Sequence, residues 1–372
     1  MTTLTERAAE LLVAAHAFDP ATPGFVGAAL ELPVAAAPSH RVPLRHGFLD
    51  GRSARVVVVS GPPSPGLPTA IERMTEDLAA MPTAGLAWPA SAILRRPAAG
   101  PARLGADDEP AGAGSPACAG SGTGGVRVAL EAGLDGGGPL GLSARWQLAH
   151  TLAPVLAAAF ANSPLLGGEP SGWRSVRQAR HRDRPVLPAG PDPRRAWASS
   201  VLDSPGRDGR TFRERARSAE RPRRADAEPR LADAERPRLT DLAEHVESLR
   251  PPVAARGHLE IDVADRQPGS GWRVVVAVTS VLLDDPRAAA AAAKATAGLA
   301  AEPGLWERAA RDALSDPVLA AAAREVFVEA YAALARHGVD RDLRDEVAEF
   351  TERYVMRGRC PADDVLGAHV IG

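Results

Sequence analysis

The stretch 125-GVRVALEAG-133 decides the fold class, because it alternates apolar and polar residues with the two-residue period of a β-strand. Two other stretches support a sheet. The β-branched run 53-SARVVVVS-60 predicts a buried strand, and 257-GHLEIDVADRQPG-269 alternates like the first stretch. Long helical patterns separate these strands, without regular strand–helix–strand alternation. The sequence therefore predicts an α+β fold with an antiparallel sheet.

Helical spacing of apolar residues marks most of the remaining chain. Residues 67–81 predict a surface helix, residues 239–249 predict a second helix, and residues 144–163 predict a long apolar helix. The stretch 272-WRVVVAVTSVLLDDP-286 is apolar enough for a strand or a buried helix, and its length and terminal Asp-Asp-Pro favour the helix. From there to about Tyr354 the chain is predicted to be helical.

Composition limits the classes of function. The chain has 372 residues, of which 45% are hydrophobic and 24% charged, with a formal net charge of -2, so it can bury a core and has no global attraction for nucleic acid or anionic lipid. Its two cysteines, Cys118 and Cys360, make neither a disulfide framework nor a CxxC metal site. The N-terminus predicts an amphipathic helix rather than a signal peptide, and no apolar run approaches the roughly 20 residues of a membrane span. We therefore expect a cytoplasmic protein without membrane contact.

The chain is predicted to form one domain in two parts, residues 1–178 and residues 239–372. Between them, residues 179–238 form a basic Pro/Arg/Ala-rich low-complexity insert. We expect this insert to be largely loop or disordered, because its apolar residues are too sparse to offset the entropy lost on ordering. A nucleic-acid-binding arm is the alternative. Interleaved Asp and Glu dilute its positive charge and no series of aromatic residues accompanies it, which argues against a nucleic-acid partner.

Generic catalytic motifs are absent from the sequence, which contains no GxxxxGK[ST], HExxH, GxSxG or CxxC pattern. The stretch 120-GSGTGG-125 is rich in glycine, but it precedes a predicted strand instead of opening a helix. A simple connector is therefore favoured there over a phosphate-binding loop.

The stretch 161-ANSPLLGGEPSGWRSVRQ-178 is the best candidate for chemistry. It places Trp173 beside Arg174 and Arg177, after a glycine-rich turn that follows an apolar helix. Guanidinium groups suit bidentate capture of a carboxylate or a phosphate. The alternative is a solvated basic turn anchored by the tryptophan.

Residues 148–178 resemble the signature of the carboxylate–amine ligases of the glutamate–cysteine ligase type, in particular the actinobacterial form that opens ergothioneine biosynthesis. The segments 25-FVGAALEL-32, 265-DRQPGSGW-272 and 353-RYVMRGRCPADD-364 agree with this family in order and spacing. The resemblance spans nearly the whole chain, and the basic insert matches worst.

The resemblance implies a fold similar to glutamine synthetase, in which an antiparallel sheet curls into a funnel backed by helices. It implies ATP and Mg²⁺ as cofactors, with glutamate, cysteine and ATP as small-molecule substrates. The implied reaction phosphorylates the glutamate γ-carboxylate and joins the resulting acyl phosphate to the amine of cysteine. This reaction would serve ergothioneine biosynthesis.

The resemblance also implies roles for individual residues. Arg174 and Arg177 are the implied catalytic residues, because they would contact the substrate carboxylate or phosphate. Glu31 is the implied metal ligand, and Glu260 is a further candidate. The implied substrate-binding residues are Trp173, Ser175, Asn162, Ser163 and Gln178.

Several acids of the family pattern are replaced in this chain. The family strand G-x-E-x-E becomes 27-GAALE-31, so Ala29 stands in the place of one glutamate, and Val58 stands where another acid is usual. Arg127 occupies a glutamine position and Asp262 an arginine position, which suggests a swapped ion pair between the two. Losing metal-binding carboxylates leaves a second hypothesis open: a catalytically degenerate homologue that binds a ligand or partner without turnover.

Overall fold

The computed structural model of the chain describes residues 4–34, 37–53, 55–81, 124–136, 138–206, 208–220 and 237–371. Some sequence-based expectations lie outside these ranges: most of the glycine-rich stretch 120–125, residues 221–236 of the basic insert, and Cys118. Cys360 lies inside them and is a free, buried thiol.

An eight-stranded sheet forms the centre of the fold. Its strands are β1 (Phe25–Pro33), β2 (Val42–Pro43), β3 (Phe48–Ser53), β4 (Val56–Ser60), β5 (Ser64–Pro65), β6 (Gly125–Leu130), β9 (Val253–Ala255) and β10 (Leu259–Asp265). They are arranged in the order β2-β3-β4-β1-β6-β10-β9, with β5 pairing β1, and all pairings between them are antiparallel. A separate hairpin pairs β7 (Leu165–Leu166) with β8 (Glu169–Pro170). The predicted α+β class is confirmed, and within the described ranges the sheet is open.

Helices make up most of the remaining described chain. They are α1 (Glu6–Ala15), α2 (Gly66–Ala79), α3 (Leu142–Ala159), α4 (Val176–Ala179), α5 (Pro193–Asp203), α6 (Phe212–Glu220), α7 (Leu239–Ser248), α8 (Trp272–Asp284), α9 (Pro286–Thr296), α10 (Leu305–Arg311), α11 (Pro317–Arg336), α12 (Arg341–Arg353) and α13 (Pro361–Ile371). The four helices predicted between residues 67 and 286 are thereby confirmed. Short 3-10 turns occur at Gly138–Leu140, Leu299–Ala301, Ala313–Ser315 and Val355–Arg357. No helix in the described ranges has the length and hydrophobicity needed to cross a lipid bilayer.

The sheet has one apolar face, which belongs to the main hydrophobic core. Strand alternation and register place Leu30, Val59 and Val126 side by side on this face, and Ile261 next to Val128. These side chains share the core with buried residues of α2, α3 and α8, which contact β1, β10 and β6 respectively. Because strands that are far apart in the sequence build this face, residues 25–33 and 259–265 depend on the same core.

The opposite face carries charged side chains in the same register. Glu31 pairs with Val58 across β1 and β4, while Ala29 pairs with Arg127 across β1 and β6. Glu260 pairs with Ala129, two residues from Arg127 on the same strand. The period-two pattern of the strands therefore puts Glu31, Arg127 and Glu260 on one face, together with the two positions that lack the family's acids.

The first part of the basic insert is partly helical, within a segment that the sequence predicts to be largely irregular. Helices α5 and α6 lie within it, and α5 buries Trp197, Val201 and Leu202. Asp192 caps α5 and Pro193 occupies its first turn, which are favourable positions for both residue types. The apolar residues of the insert are few, but those of α5 lie together on one side of the helix. The clustering of these apolar residues on α5, rather than the average composition of the insert, offsets the entropy lost when this helix becomes ordered.

Candidate active site

A cluster of five arginines and three acids occupies the charged face of the sheet. We call it the arginine–acid cluster, and its members are Arg52, Arg127, Arg177, Arg180, Arg256, Glu31, Glu260 and Asp262. Glu31 and Asp262 are buried, as is Arg177. Opposite charges taken out of water in this way must pair with each other, since an isolated buried charge is very costly.

Glu31 is the centre of the cluster. Its Oε1 accepts a hydrogen bond from Arg127 Nη2 at 3.0 Å, and its Oε2 lies 3.5 Å from Arg177 Nη2. Arg52 also contacts Oε1. Three guanidinium groups from three separate chain segments therefore converge on one carboxylate.

Arg127 joins Glu31 to the second acid on this face. Its Nη1 donates to Glu260 Oε2 at 3.3 Å, and Glu260 Oε1 accepts from Arg256 Nε at 3.1 Å. Both acids proposed as metal ligands from the sequence are thus engaged by arginine.

Asp262 is paired from the other side of the cluster. It accepts a hydrogen bond from Arg177, and its Oδ2 lies 3.9 Å from Arg180 Nη2. Burial alone would raise the pKa of Asp262, but the positive charges of Arg177, Arg127 and Arg180 lower it below the ordinary value. The carboxylate therefore stays ionised at neutral pH.

The suggested ion pair between Arg127 and Asp262 takes a different form. Arg127 pairs with Glu31 and Glu260, whereas Asp262 pairs with Arg177. The register of β10 against β6 shifts between Ile261 and Ala264, next to Asp262, and this irregularity interrupts regular cross-strand pairing at that position. The two substituted residues belong to one cluster and interact through charge rather than by direct contact.

Arg177 reaches the sheet because Gly125 leaves room for it. A Cβ atom built on Gly125 would overlap the Arg177 guanidinium, and one on Gly124 would overlap the Glu31 carbonyl oxygen. The last two glycines of 120-GSGTGG-125 thus permit close approach to the strands. These two glycines are therefore needed for packing, a role that supports neither a phosphate-binding loop nor a simple connector.

A second polar network surrounds Asp265, where β10 ends. Asp265 Oδ2 accepts hydrogen bonds from the Asn162 backbone N–H and from Ser163 Oγ, both at 2.8 Å, and Oδ1 accepts from Ser175 Oγ at 3.0 Å. Burial raises the pKa of Asp265, while Arg177 and these hydrogen bonds oppose the rise. Three of the residues assigned to substrate binding thereby converge on one buried carboxylate.

This Asp265 network fixes the position of Arg177. Ser175 also caps the short helix α4, because its Oγ accepts a hydrogen bond from the Gln178 N–H at 3.1 Å. Asn162 Nδ2 donates to the Arg266 carbonyl at 2.7 Å. The end of α3, the N-cap of α4 and the end of β10 are therefore held together, and the N-cap Ser175 lies two residues before Arg177.

The other residues of the motif lie elsewhere. Arg174 pairs through Nε with Asp363 Oδ1 at 2.8 Å, in the first turn of α13, and Trp173 is half-buried. Gln178 is fully buried, and both of its amide atoms lack a hydrogen-bond partner among the residues that the structure describes. The structure brings Arg177 and Glu31 together and directs Arg174 to the C-terminal helix.

A magnesium ion does not fit the acids of this face. Within the described ranges, no group of three or more His, Cys, Asp or Glu side chains could hold a metal ion. Glu31 and Glu260 are already neutralised by arginines, and the arginine–acid cluster carries two more positive than negative charges, five against three. An added divalent cation would be repelled.

The sequence did not identify Arg52, Arg180 or Arg256 as members of this site. None of the three lies in the GWRSxRQ motif, and each reaches the cluster through its long side chain. Burial and the charges of Arg250, Arg127 and Arg177 lower the pKa of Arg52 to about 9, against the opposing effect of Asp262, so it remains charged at neutral pH. Of the three, only Arg52 lies on a strand, in β3, so strand register could have pointed to Arg52 but not to Arg180 or Arg256.

An antiparallel sheet with a charged face, approached by the arginine of a GWRSxRQ motif, is the arrangement expected of a carboxylate–amine ligase. The family model for glutamate–cysteine ligase family 2 (GCS2) matches residues 126–370. The chain belongs to this family, as its sequence motifs predicted.

Relatives extend the match toward the N-terminus. The glutamate–cysteine ligase EgtA of Mycobacterium tuberculosis, in strains CDC 1551 and H37Rv, is 35% identical over 335 residues, which cover 85% of this chain and 76% of the relative. The glutamate–cysteine ligase EgtA of Mycolicibacterium smegmatis is 35% identical over 249 residues, covering 64% of this chain and 56% of the relative.

Proposed function

We propose that the chain is an ATP-dependent ligase that joins the γ-carboxylate of glutamate to the amine of cysteine in ergothioneine biosynthesis. Family membership and the two relatives named glutamate–cysteine ligase EgtA support this proposal. The structural observation that carries it is the position of Arg177, which the family motif supplies and which is buried against Glu31 and Asp262 on the sheet.

The proposed reaction has two steps. The γ-phosphoryl group of ATP passes to the glutamate γ-carboxylate, giving ADP and an acyl phosphate. The amine of cysteine then attacks the acyl carbon, phosphate leaves, and an amide bond forms. Arginine groups would stabilise the negative charge on the transferring phosphoryl group. No step is assigned to Mg²⁺, because the acids present do not fit it.

We assign catalytic roles to Arg177 and Arg174, with the remaining motif residues shaping the substrate pocket. Arg177 lies in the arginine–acid cluster, and Arg174 would meet substrate near α13, where it pairs with Asp363. Asn162, Ser163 and Ser175 would act through the Asp265 network, and Gln178 and Trp173 would contact substrate. The funnel shape of the sheet and the single domain in two parts belong to the same proposal.

Product formation tests this function. The purified chain is incubated with ATP, glutamate and cysteine, with and without Mg²⁺, and γ-glutamylcysteine and ADP are measured. We expect turnover, and we expect Arg177→Lys to lower kcat/KM about 10²-fold, as for loss of one preorganised charge partner. Arg341→Lys is the matched control, because Arg341 is exposed and pairs only with Asp345 among described residues. Absence of product under both conditions contradicts the proposal.

A catalytically degenerate homologue is the second candidate function. The specific observation in its favour is that Glu31 contacts three arginines, while Ala29 and Val58 replace acids on the same face. Such a protein would bind ATP in calorimetry and form no γ-glutamylcysteine.

Restoring the acids separates the two candidates further. The double variant Ala29→Glu, Val58→Glu places carboxylates beside Glu31 on the charged face. If loss of the metal site abolished turnover, this variant gains Mg²⁺-dependent product formation. A variant that folds, binds ATP and gains nothing argues against metal-site loss as the cause.

A further inference from the structure

We propose that the arginine–acid cluster binds the phosphate groups of its ligand directly, with guanidinium groups in place of a divalent cation. The proposal rests on the proposed function only for the choice of ATP as the natural ligand. Its chemical content is a metal-independent site for a polyphosphate.

Charge is the first argument. Within the described chain, five arginines face three acids in the arginine–acid cluster, and Arg250 lies near enough that Arg127 and Arg256 lower its pKa in addition to the larger effect of burial. The excess of positive charge is held in a largely buried setting, where charges are costly without a counter-ion. A polyanion supplies that counter-ion.

Access is the second argument. The central acids are closed off, since the Glu31 and Asp262 side chains are 5% and 1% exposed, whereas Arg52 and Arg127 are 25% and 17% exposed. A ligand arriving from solvent therefore meets guanidinium groups first, and the acids lie behind them. This order suits an anion and not a metal ion.

Unused hydrogen-bond donors are the third argument. Arg127 donates from Nη1 to Glu260 and from Nη2 to Glu31. Its buried Nε has no hydrogen-bond partner in the part of the chain that the structure describes. A guanidinium group has five donors in a planar fork that matches a phosphate. Arg127 gives one hydrogen bond to each of its two acids and so keeps further N–H groups that can donate to a phosphate oxygen.

The substitutions at the site point the same way. Ala29 lies beside Arg127 in the register, and Val58 lies beside Glu31. Two positions that would carry metal-binding acids are apolar, and a neighbouring position carries an arginine. Asp262, in a family arginine position, offsets part of this change, so the four substitutions together make the charged face more positive by one unit, which favours an anion over a cation.

The test is calorimetric titration of the full chain with inorganic triphosphate and with ATP, each in excess EDTA and in excess Mg²⁺. We expect binding in EDTA to be at least as tight as binding in Mg²⁺, because a Mg²⁺ ion bound to the phosphates lowers the negative charge of the ligand. Arg127→Gln is expected to weaken binding in EDTA about tenfold or more, the effect of losing a charge-assisted hydrogen bond. Arg52→Gln is a second variant, and Arg341→Gln is the exposed control, which should bind like the original chain.

Three results overturn the inference: binding that requires Mg²⁺, no binding of either ligand in EDTA, or equal binding by Arg127→Gln, Arg52→Gln and Arg341→Gln. Circular dichroism checks the folding of each variant. Even if a variant unfolds, the titration of the original chain in EDTA still tests whether binding is independent of metal. The outcome is separable from that of the ligase assay. Metal-free binding without product refutes the ligase proposal and supports this inference. Binding and turnover that both strictly require Mg²⁺ support the ligase proposal and refute this inference.

Discussion

The two faces of the central sheet come from the same strands but are held by different forces. On one face, Leu30, Val59 and Val126 pack in the hydrophobic core, where each contact is short-ranged and non-directional. On the other face, Glu31 and Arg127 depend on partners of opposite charge from distant segments. The apolar face tolerates some change of shape, whereas the charged face leaves an unpaired charge when one partner is removed.

The largest effect is expected on the charged face. Arg177→Met removes the main partner of buried Asp262, and breaking a buried ion pair from one side costs about 3–5 kcal/mol of unfolding free energy. Urea denaturation at pH 7 measures this loss. The control Arg341→Met removes an exposed pair and should change the free energy by about 0.5 kcal/mol or less. Equal values for both variants would mean that pairing does not hold this face.

Leu130→Ala tests the apolar face. Leu130 is buried between Val26 and Leu259, and truncation of a buried leucine costs about 2–5 kcal/mol. Val58→Ala, at a half-buried position on the charged face, should cost about 1 kcal/mol. Denaturant midpoints measure both, and a larger loss for Val58→Ala would reverse the assignment of the two faces.

Gly125→Ala tests how closely the charged face is packed. The added methyl group would overlap the Arg177 guanidinium, and overpacking of this kind costs about 1–3 kcal/mol. Gly298→Ala is the matched control, because nothing lies within 4 Å of a Cβ at that exposed position. Thermal unfolding should show a lower Tm for the first variant alone. A neutral Gly125→Ala would indicate that Arg177 can move away without cost.

The smallest effect is a difference in pH dependence between the faces. The folded-state pKa of Asp262 lies below its unfolded value, so its stabilising contribution is present above about pH 4 and is lost as the pH falls through the folded pKa. The cost of Asp262→Asn should therefore shrink at low pH, by on the order of 1 kcal/mol. The cost of Leu130→Ala should stay constant. Urea titrations from pH 7 to pH 3 compare the two variants, and parallel curves would contradict the ion-pair account.

Local sequence patterns predicted the fold well because periodicity reports which face of an element is buried. The alternation in 125–133 and the length of 272–286 identified β6 and α8 directly. The helix α5 escaped prediction, since an average over the basic insert hid the few apolar residues that it buries.

The site was predictable only in part, because ion pairing depends on strand register. Arg174 and Arg177 are equivalent in sequence, but the cap at Ser175 starts a new helical turn between them, and their partners are Asp363 and Asp262 respectively. The composition of the motif does not reveal that its two arginines have different partners. Family resemblance supplied the motif, and the structure supplied the partners.

The Asp265 network has a consequence for how the protein matures. Asp265 is bonded by residues 90 to 103 positions earlier in the chain. Contacts of such long sequence separation form late, after loop closure has been accomplished. A chain still emerging from the ribosome and ending before β10 therefore cannot hold Arg177 in place, so the ability to bind ligand should be acquired only after β10 has been synthesised and has left the ribosome.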